Sequence, residues 1–188
     1  MKEIEILIEV KSSKKAALKA LESFSAGGTK RTLDVYFQDP LRKDLQIDEN
    51  NRLYQSFRLR QKDDKNSITY KIDHFDKDMW SYSDEFETEI DNAENTFKII
   101  KKLGFEELIR IESEKHTYTN SEYEIVLEDV KNLGLFIEVE KLTETQDEKV
   151  EEVKEEIRSF LKTLNIKFGE EQNAGKPELM LRKNKKLL

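Results

Sequence analysis

Cysteine is absent from the 188 residues, so neither a disulfide framework nor a thiolate zinc site can be built. Histidine occurs only at His74 and His116, without metal-ligand spacing, and both read as strand or surface residues. Long apolar runs are missing as well: the longest extends over a few residues, far short of a membrane-crossing helix. The chain starts directly on a strand pattern in place of a signal peptide. Together these features predict a cytoplasmic protein with no membrane partner. There is no excess of positive charge either. The formal net charge is −7, and every Lys-rich stretch has acidic neighbours, which argues against nucleic acid as a partner. Any phosphate site must be local and sheltered. With no repeat, low-complexity tract or linker to divide it, the chain is expected to form a single domain, residues 1–188.

What is present is a rhythm of charge at every second residue. Only 36% of residues are hydrophobic and 39% are charged, yet the apolar residues are periodic, which a disordered chain would not show. In Glu3-Ile4-Glu5-Ile6-Leu7-Ile8 the carboxylates share one face of a strand, with Ile4, Ile6, Ile8 and Val10 on the other. Phe57-Arg58-Leu59-Arg60, Thr69-Tyr70-Lys71, Glu85-Phe86-Glu87-Thr88-Glu89 and Phe136-Ile137-Glu138-Val139-Glu140 repeat the pattern. A one-sided antiparallel sheet also alternates polar and apolar residues. Its solvated face, however, usually mixes Lys, Thr, Ser and Glu within a strand. Here strands whose polar positions are nearly all Glu alternate with strands bearing Arg or Lys. Such segregation suits a closed sheet with a wet, ionic interior, where cations face phosphate oxygens and carboxylates face a divalent ion.

Read in order, the chain predicts eight antiparallel strands, with helices after the first and fifth. Ser12-Ser13 caps a helix through Leu21, with Phe24 near its end and Gly27-Gly28 stopping it. Strand two covers Arg31 to Phe37, closed by Asp39-Pro40; a polar loop follows from Leu41 to Asn51. Strands three and four, Leu53 to Gln61 and Ser67 to Asp73, flank a turn at Asp63-Asp64-Lys65-Asn66. A loop holding Trp80, read as a packing residue, leads to strand five at Asp84 to Ile90. The second helix, opened by Asp91-Asn92, ends at Gly104. Strands six to eight are Glu107 to Tyr118, Glu122 to Val130 and Leu135 to Leu142. A helix from Thr145 to Leu164 carries the stripe Val150, Val153, Ile157 and Leu161, with Glu151, Glu152 and Lys154 on its solvated side. A last helical turn follows Pro177. Residues 143–188 are thus expected to be a C-terminal helical extension packing on the barrel. The fold class is α+β, an eight-stranded antiparallel closed β-barrel surrounded by helices.

Several of these segments resemble the CYTH superfamily of triphosphate-tunnel enzymes, which includes class IV adenylyl cyclases and thiamine or inorganic triphosphatases. Glu3-Ile4-Glu5 fits the family's opening Glu-x-Glu-x-Lys, with Leu7 where the lysine belongs. Asp34-Val35-Tyr36-Phe37 with Asp39-Pro40 is similar to the cyclase-type second strand. Arg58 and Arg60 match the paired arginines, Lys71 the strand-four lysine, and Glu85-Phe86-Glu87 the strand-five glutamates. Leu103-Gly104-Phe105 and the run from Asp129 to Glu140 complete a likeness that covers residues 1–142 in unbroken order. The departures fall on groups expected to meet phosphate or metal. Leu7 and Ser113 stand for cations, Lys115 for an arginine, Glu128 for an aspartate, and Tyr82-Ser83-Asp84 supplies no arginine before the strand-five glutamates. Lysine lacks the guanidinium fork for two-point phosphate binding.

The resemblance implies that Arg58, Arg60, Lys71 and Lys115 bind a triphosphate, and that Glu3, Glu5, Glu85, Glu87, Glu128, Glu138 and Glu140 hold Mg²⁺ or Mn²⁺, with Glu3, Glu5, Arg58, Arg60 and Lys71 carrying catalysis. Salt bridges across a closed barrel are the competing account of the acidic pairs. No dedicated general base is visible. Three activities stay open: a class IV adenylyl cyclase-like conversion of ATP to cyclic AMP and pyrophosphate; hydrolysis of tripolyphosphate, thiamine triphosphate or a nucleoside triphosphate; and triphosphate or polyphosphate binding without turnover. The expected partner is a small-molecule triphosphate, and association of two chains into a homodimer is left open.

Overall fold

A computed structural model describes residues 2–63, 65–142 and 149–185, the side chains of Lys2 and Glu3 excepted. The elements in chain order are β1 (Lys2–Glu3), β2 (Glu5–Val10), α1 (Lys14–Leu21), β3 (Ser25–Gln38), a 3₁₀ turn (Lys43–Leu45), β4 (Gln55–Lys62), β5 (Asn66–Asp76), β6 (Met79–Ile90), α2 (Ala93–Lys102), β7 (Glu106–Thr119), β8 (Tyr123–Val130), β9 (Gly134–Lys141), α3 (Val150–Thr163), β10 (Phe168–Glu171) and α4 (Lys176–Lys185). All strands join one antiparallel sheet in the order β1-β6-β5-β4-β3-β7-β8-β9-β2-β10.

The first strand of that order, β1, and the next to last, β2, belong to one stretch of chain. Lys2 and Glu3 pair with Asp84 and Ser83 of β6, while Glu5 to Glu9 pair with β9. Only Ile4 separates β1 from β2, so the sheet curls until β6 and β9 meet on the first strand. Taken as one, β1 and β2 leave eight long strands, as the alternation predicts, with β10 added outside on Val10 and Ile8. From Glu5 onward β2 no longer pairs with β6, and this seam is covered by α3, which contacts both strands.

The sheet is apolar outside and polar inside. Ile4, Ile6, Val10, Ile125, Leu127, Ile137 and Val139 face outward and pack with Ala17 and Leu21 of α1 and with Val150, Val153, Ile157 and Leu161 of α3. A second outer cluster sets Val35, Phe37 and Leu59 against Ala93 and Ile100 of α2. Each of these three helices therefore buries its stripe on the sheet's exterior, which leaves the interior to the alternate, charged residues. A third cluster lies at one end of the interior, where Leu7, Tyr36, Ile111 and Phe136 meet Met180 of α4. The C-terminal helix stops that mouth.

Several boundaries and the burial of one lysine differ from the sequence expectation. Ser13 does cap α1, its Oγ accepting from Ala16 N, but the helix stops at Leu21, and Gly27-Gly28 lie inside β3. They make a bulge opposite Thr117 and Tyr118, with Gly28 at φ +107°. β5 and β6 run on through the expected loop and meet at Lys77-Asp78, both at positive φ. A two-residue turn of that kind usually advertises itself as Asn-Gly or Asp-Gly, and Lys-Asp does not. α4 extends over ten residues rather than one turn. Lys154 is 4% exposed, not solvated. It lies on the seam: Trp80 is beyond the part of β6 that β1 reaches, so its backbone N–H donates to Asn173 Oδ1 and its carbonyl accepts from Lys154 Nζ, each at 2.5 Å. Side chains from the C-terminal segment finish what a neighbouring strand would otherwise satisfy. Asp64 of the expected hairpin turn and Thr145 of the expected third helix fall outside the described residues.

Candidate functional site

The inner faces of the strands enclose a cavity of about 350 Å³. Glu5, Arg58, Arg60, Lys71, Glu85, Glu87, Lys115, Glu128, Glu138 and Glu140 all line it, so of the residues singled out from the sequence only Glu3, whose side chain is not described, is unaccounted for. Period-two alternation places them there: Arg58 and Arg60 are two apart on β4, Glu85 and Glu87 on β6, Glu138 and Glu140 on β9.

On one side the register itself forms the ion pairs. Asp34 and Arg60 are direct partners across β3 and β4, and Arg60 Nε and Nη2 donate to the two carboxylate oxygens at 2.7 and 2.6 Å. Burial would raise the Asp34 carboxyl, but the two-point contact with Arg60 outweighs it and holds the group far below the ordinary carboxylate range. Arg58 Nη2 donates to Thr69 Oγ1 at 2.9 Å and approaches Glu87 at 3.3 Å and Glu85 at 3.6 Å. Arg58 Nε is buried without a hydrogen-bond partner among the described residues, which leaves part of a guanidinium fork unused beside the cavity. Lys71 reaches Glu5 at 3.3 Å and Glu85 at 3.6 Å. Its ammonium is also 5.7 Å from the Trp80 ring, so Trp80 belongs to the lining as well as to the seam.

The opposite side is acidic. Glu5, Glu140 and Glu124 are successive cross-strand partners on β2, β9 and β8, a row of like charges that register alone would make unfavourable. Glu128 and Glu138 lie further along, and between them sits Lys176, the first residue of α4. Its Nζ is 2.5 Å from Glu128 Oε2 and 2.6 Å from Glu138 Oε2. Burial pushes the Glu138 carboxyl up, yet Lys176 and then Lys115 bring it well below its usual value. Burial likewise works against the charge on Lys176, and the two carboxylates reverse that, raising it above an ordinary lysine. For Lys115, directly opposite Glu128 in register and 3.5 Å away, the compensation falls short: burial and then Arg60 outweigh Glu128 and Glu138 and lower it to about 8.

The departures from the family pattern find their explanations here. Ser113 exchanges a 2.8 Å hydrogen bond with Thr32 and donates to Glu128 Oε1 at 2.6 Å, so a buried hydroxyl relay fixes Glu128 where a cation was expected. Leu7 packs in the plug with Ile111, Phe136 and Met180. Ser83 donates to Asp73 at 2.6 Å and accepts from Trp80 Nε1.

The sequence reading missed Asp34 as Arg60's partner, Lys30, Lys62, Asp73 and Glu124 as lining residues, and Lys176 and Glu178 altogether. Alternation on β3, β4, β5 and β8 was the available signal for the first five. For Lys176 and Glu178 there was none. Glu178, 3% exposed, accepts from Gly175 N at 2.6 Å and Leu53 N at 3.1 Å, tying α4 to the loop before β4, and burial raises it to about 7.

As arranged, the acidic residues read as metal ligands are interleaved with ammonium and guanidinium groups, and among the described residues no three of them gather as a metal cluster. The donor chemistry nonetheless suits a hard cation: ten carboxylates and seven cationic side chains line the cavity, a formal excess of three negative charges, and the ammonium between Glu128 and Glu138 is itself a stand-in cation. Mg²⁺ in such sites needs only one or two carboxylates besides substrate oxygens.

Comparisons with known proteins agree with this fold. A family profile described as the CYTH domain matches residues 1–171. A Methanocaldococcus jannaschii protein bearing the name "putative adenylate cyclase" is 34% identical over 168 residues, covering 88% of this chain and 91% of its own. The fold matches that of the PH1819 protein from Pyrococcus horikoshii, with a TM-score of 0.79 at 24% identity over 96% of this chain and 99% of that one. It also matches a Hippeastrum protein described as a putative adenylyl cyclase with a dominant triphosphatase activity, with a TM-score of 0.66 at 19% identity over 100% and 97% of the two chains.

Proposed function

The chain belongs to the CYTH domain family, and from that premise we propose that its tunnel binds a triphosphate together with Mg²⁺ or Mn²⁺ and converts ATP to cyclic AMP and pyrophosphate. The observation that carries this reading is that Arg58, Arg60, Lys71 and Lys115 share one sheltered cavity with Glu5, Glu128, Glu138 and Glu140. A triphosphate concentrates several negative charges in a small volume, and an interior already in formal excess of carboxylate requires additional positive charge to admit it. Divalent ions held by the Glu5–Glu140 and Glu128–Glu138 pairs would supply that charge and polarise the phosphoryl oxygens.

The chain's own residues bind and align. Arg58, with its spare Nε, and Lys71 grip the phosphate chain from one side, and Lys115 does so from the other. Arg60 is held in place by Asp34, so its charge is fixed without being free to move. In the cyclisation the ribose 3′ oxygen bonds to the α-phosphorus, its proton passes to solvent or the departing pyrophosphate, the bond from that phosphorus to the bridging oxygen breaks, and pyrophosphate leaves. Alignment and charge neutralisation account for most of such a step. The apolar plug of Leu7, Ile111, Phe136 and Met180 excludes water from one mouth, which favours an internal hydroxyl as nucleophile.

The similarity to the Methanocaldococcus protein supports the cyclase branch. Hydrolysis of the terminal phosphate is the second reading, favoured by an ionic lining that would serve any triphosphate, as in the Hippeastrum protein with its dominant triphosphatase activity. Purified protein incubated with ATP or tripolyphosphate and Mg²⁺ or Mn²⁺, followed by product identification, tests both. Cyclic AMP with pyrophosphate supports the first reading, and orthophosphate replaces it with the second. Saturable binding without either product reduces the protein to a binding module, while absence of binding removes the tunnel assignment.

A further inference from the structure

Lys176 comes from the C-terminal helix, outside every strand, yet its ammonium bridges two carboxylates on β8 and β9 at 2.5 and 2.6 Å. Its side chain is 14% exposed, and it lines the same cavity as the phosphate-binding candidates. Leu7, which stands where an opening-strand lysine was expected, is the direct β2 partner of Glu138. The helix thus returns a positive charge to a place the strand left apolar. An ammonium on a flexible four-carbon stem is a compact point charge that can change partners. α4 itself is anchored by other contacts, Met180 in the plug and Glu178 on Leu53 N and Gly175 N, so the side chain can move without undocking the helix.

Resting on the triphosphate reading, we propose that Lys176 is a tethered counter-cation that occupies the Glu128–Glu138 pair, gives that pair up to a divalent ion, and turns to the phosphate chain. Two consequences follow from one displacement. Without Lys176, a divalent ion meets a vacated pair and binds more tightly in the absence of substrate. The phosphate chain, in contrast, loses a contact and binds more weakly.

The test measures Mn²⁺ binding to the full chain by electron paramagnetic resonance without any nucleotide, and tripolyphosphate binding by calorimetry at saturating Mn²⁺. Lys176→Gln is expected to bind Mn²⁺ about tenfold more tightly than the unaltered protein and tripolyphosphate about tenfold more weakly, and Lys176→Arg to restore both toward the original. Adding Glu138→Gln to Lys176→Gln should abolish the gain in Mn²⁺ affinity. Unchanged or weaker Mn²⁺ binding in Lys176→Gln overturns the proposal. A purely structural role for Lys176 would lower both affinities together and also overturns it. Should that variant fail to fold, the unaltered chain still decides: acylation of Lys176 by an amine-reactive anhydride, followed by peptide mass spectrometry, should speed up at least threefold on adding Mn²⁺ alone, and a constant rate rejects the displacement. If no form of the protein binds tripolyphosphate, the functional reading above fails, whereas the Mn²⁺ gain in Lys176→Gln still reports the counter-cation.

Discussion

The two sides of the tunnel are neutralised by different means. On the β3–β4–β5 side, cation and carboxylate are neighbours in register: Asp34 faces Arg60, and Thr69 links Arg58 to Glu87. On the β2–β9–β8 side the register aligns Glu5, Glu140 and Glu124, and for the neighbouring Glu138 and Glu128 a compensating charge arrives from far along the chain, Lys176 being 38 residues from Glu138 and 48 from Glu128. The first side is a fixed scaffold, and the second is a set of acids whose counter-ion can be exchanged. That difference assigns permanence to one wall and exchange to the other.

The sharpest way to break the comparison is Arg60→Ala, which leaves Asp34 buried and uncompensated. It should cost about 3–5 kcal/mol of stability, measured by urea unfolding; a loss under ~1 kcal/mol would show that the scaffold wall is no scaffold. Arg58→Ala removes a guanidinium whose contacts are longer and less complete. Tripolyphosphate affinity should fall at least tenfold, in line with about 1.5–3 kcal/mol for a charge-assisted hydrogen bond, with a smaller stability loss than Arg60→Ala. Lys154→Ala opens the seam instead: thermal stability should drop by about 1–3 kcal/mol as the Trp80 carbonyl loses its donor, while affinity changes less than twofold. Equal affinity losses at Arg58 and Lys154 would erase the distinction between lining and seam.

The scaffold wall and the plugging helix α4 should respond to opposite ends of the pH scale. Asp34 titrates below its unfolded value in the fold, so its stabilisation is complete above about pH 4 and is lost as the pH falls further. Glu178 is the reverse case. Its folded value is raised to about 7, so the stabilisation is complete below its ordinary value near 4.5 and is lost as the pH rises through about 7. Hydrogen exchange of the α4 amides should therefore accelerate between pH 5 and 7.5 more than exchange chemistry alone dictates, and Glu178→Gln should flatten that excess. The smallest effect is expected at Lys131→Ala, whose exposed pair with Glu112 lies outside both walls; stability should move by no more than ~0.5 kcal/mol.

Most of the tunnel lining could be read before any coordinates, because strand geometry is local: a residue two positions from Arg58 must share its face, whatever the rest of the chain does. The helices' apolar stripes, read from α1, α2 and α3, likewise fixed which side of the sheet would be covered. Boundaries were less legible where turn chemistry was silent, as at Lys77-Asp78, or where glycine served a bulge instead of a helix stop, as at Gly27-Gly28. Lys154 was misplaced for a related reason. A lysine beside the apolar stripe of α3 is ordinarily solvated, and only the unpaired end of β6 gives its ammonium a buried partner.

By itself, then, the sequence determined an antiparallel sheet with one charged and one apolar face, and with opposite charges on different strands, since side-chain alternation needs no information beyond nearest neighbours. Tertiary structure alone decided that β1 and β2 would join β6 to β9, that Leu7 would seat a plug, and that Lys176 would stand between Glu128 and Glu138. Those arrangements depend on where a distant helix docks, and docking is set by shape and burial summed over the whole molecule, which no local period encodes.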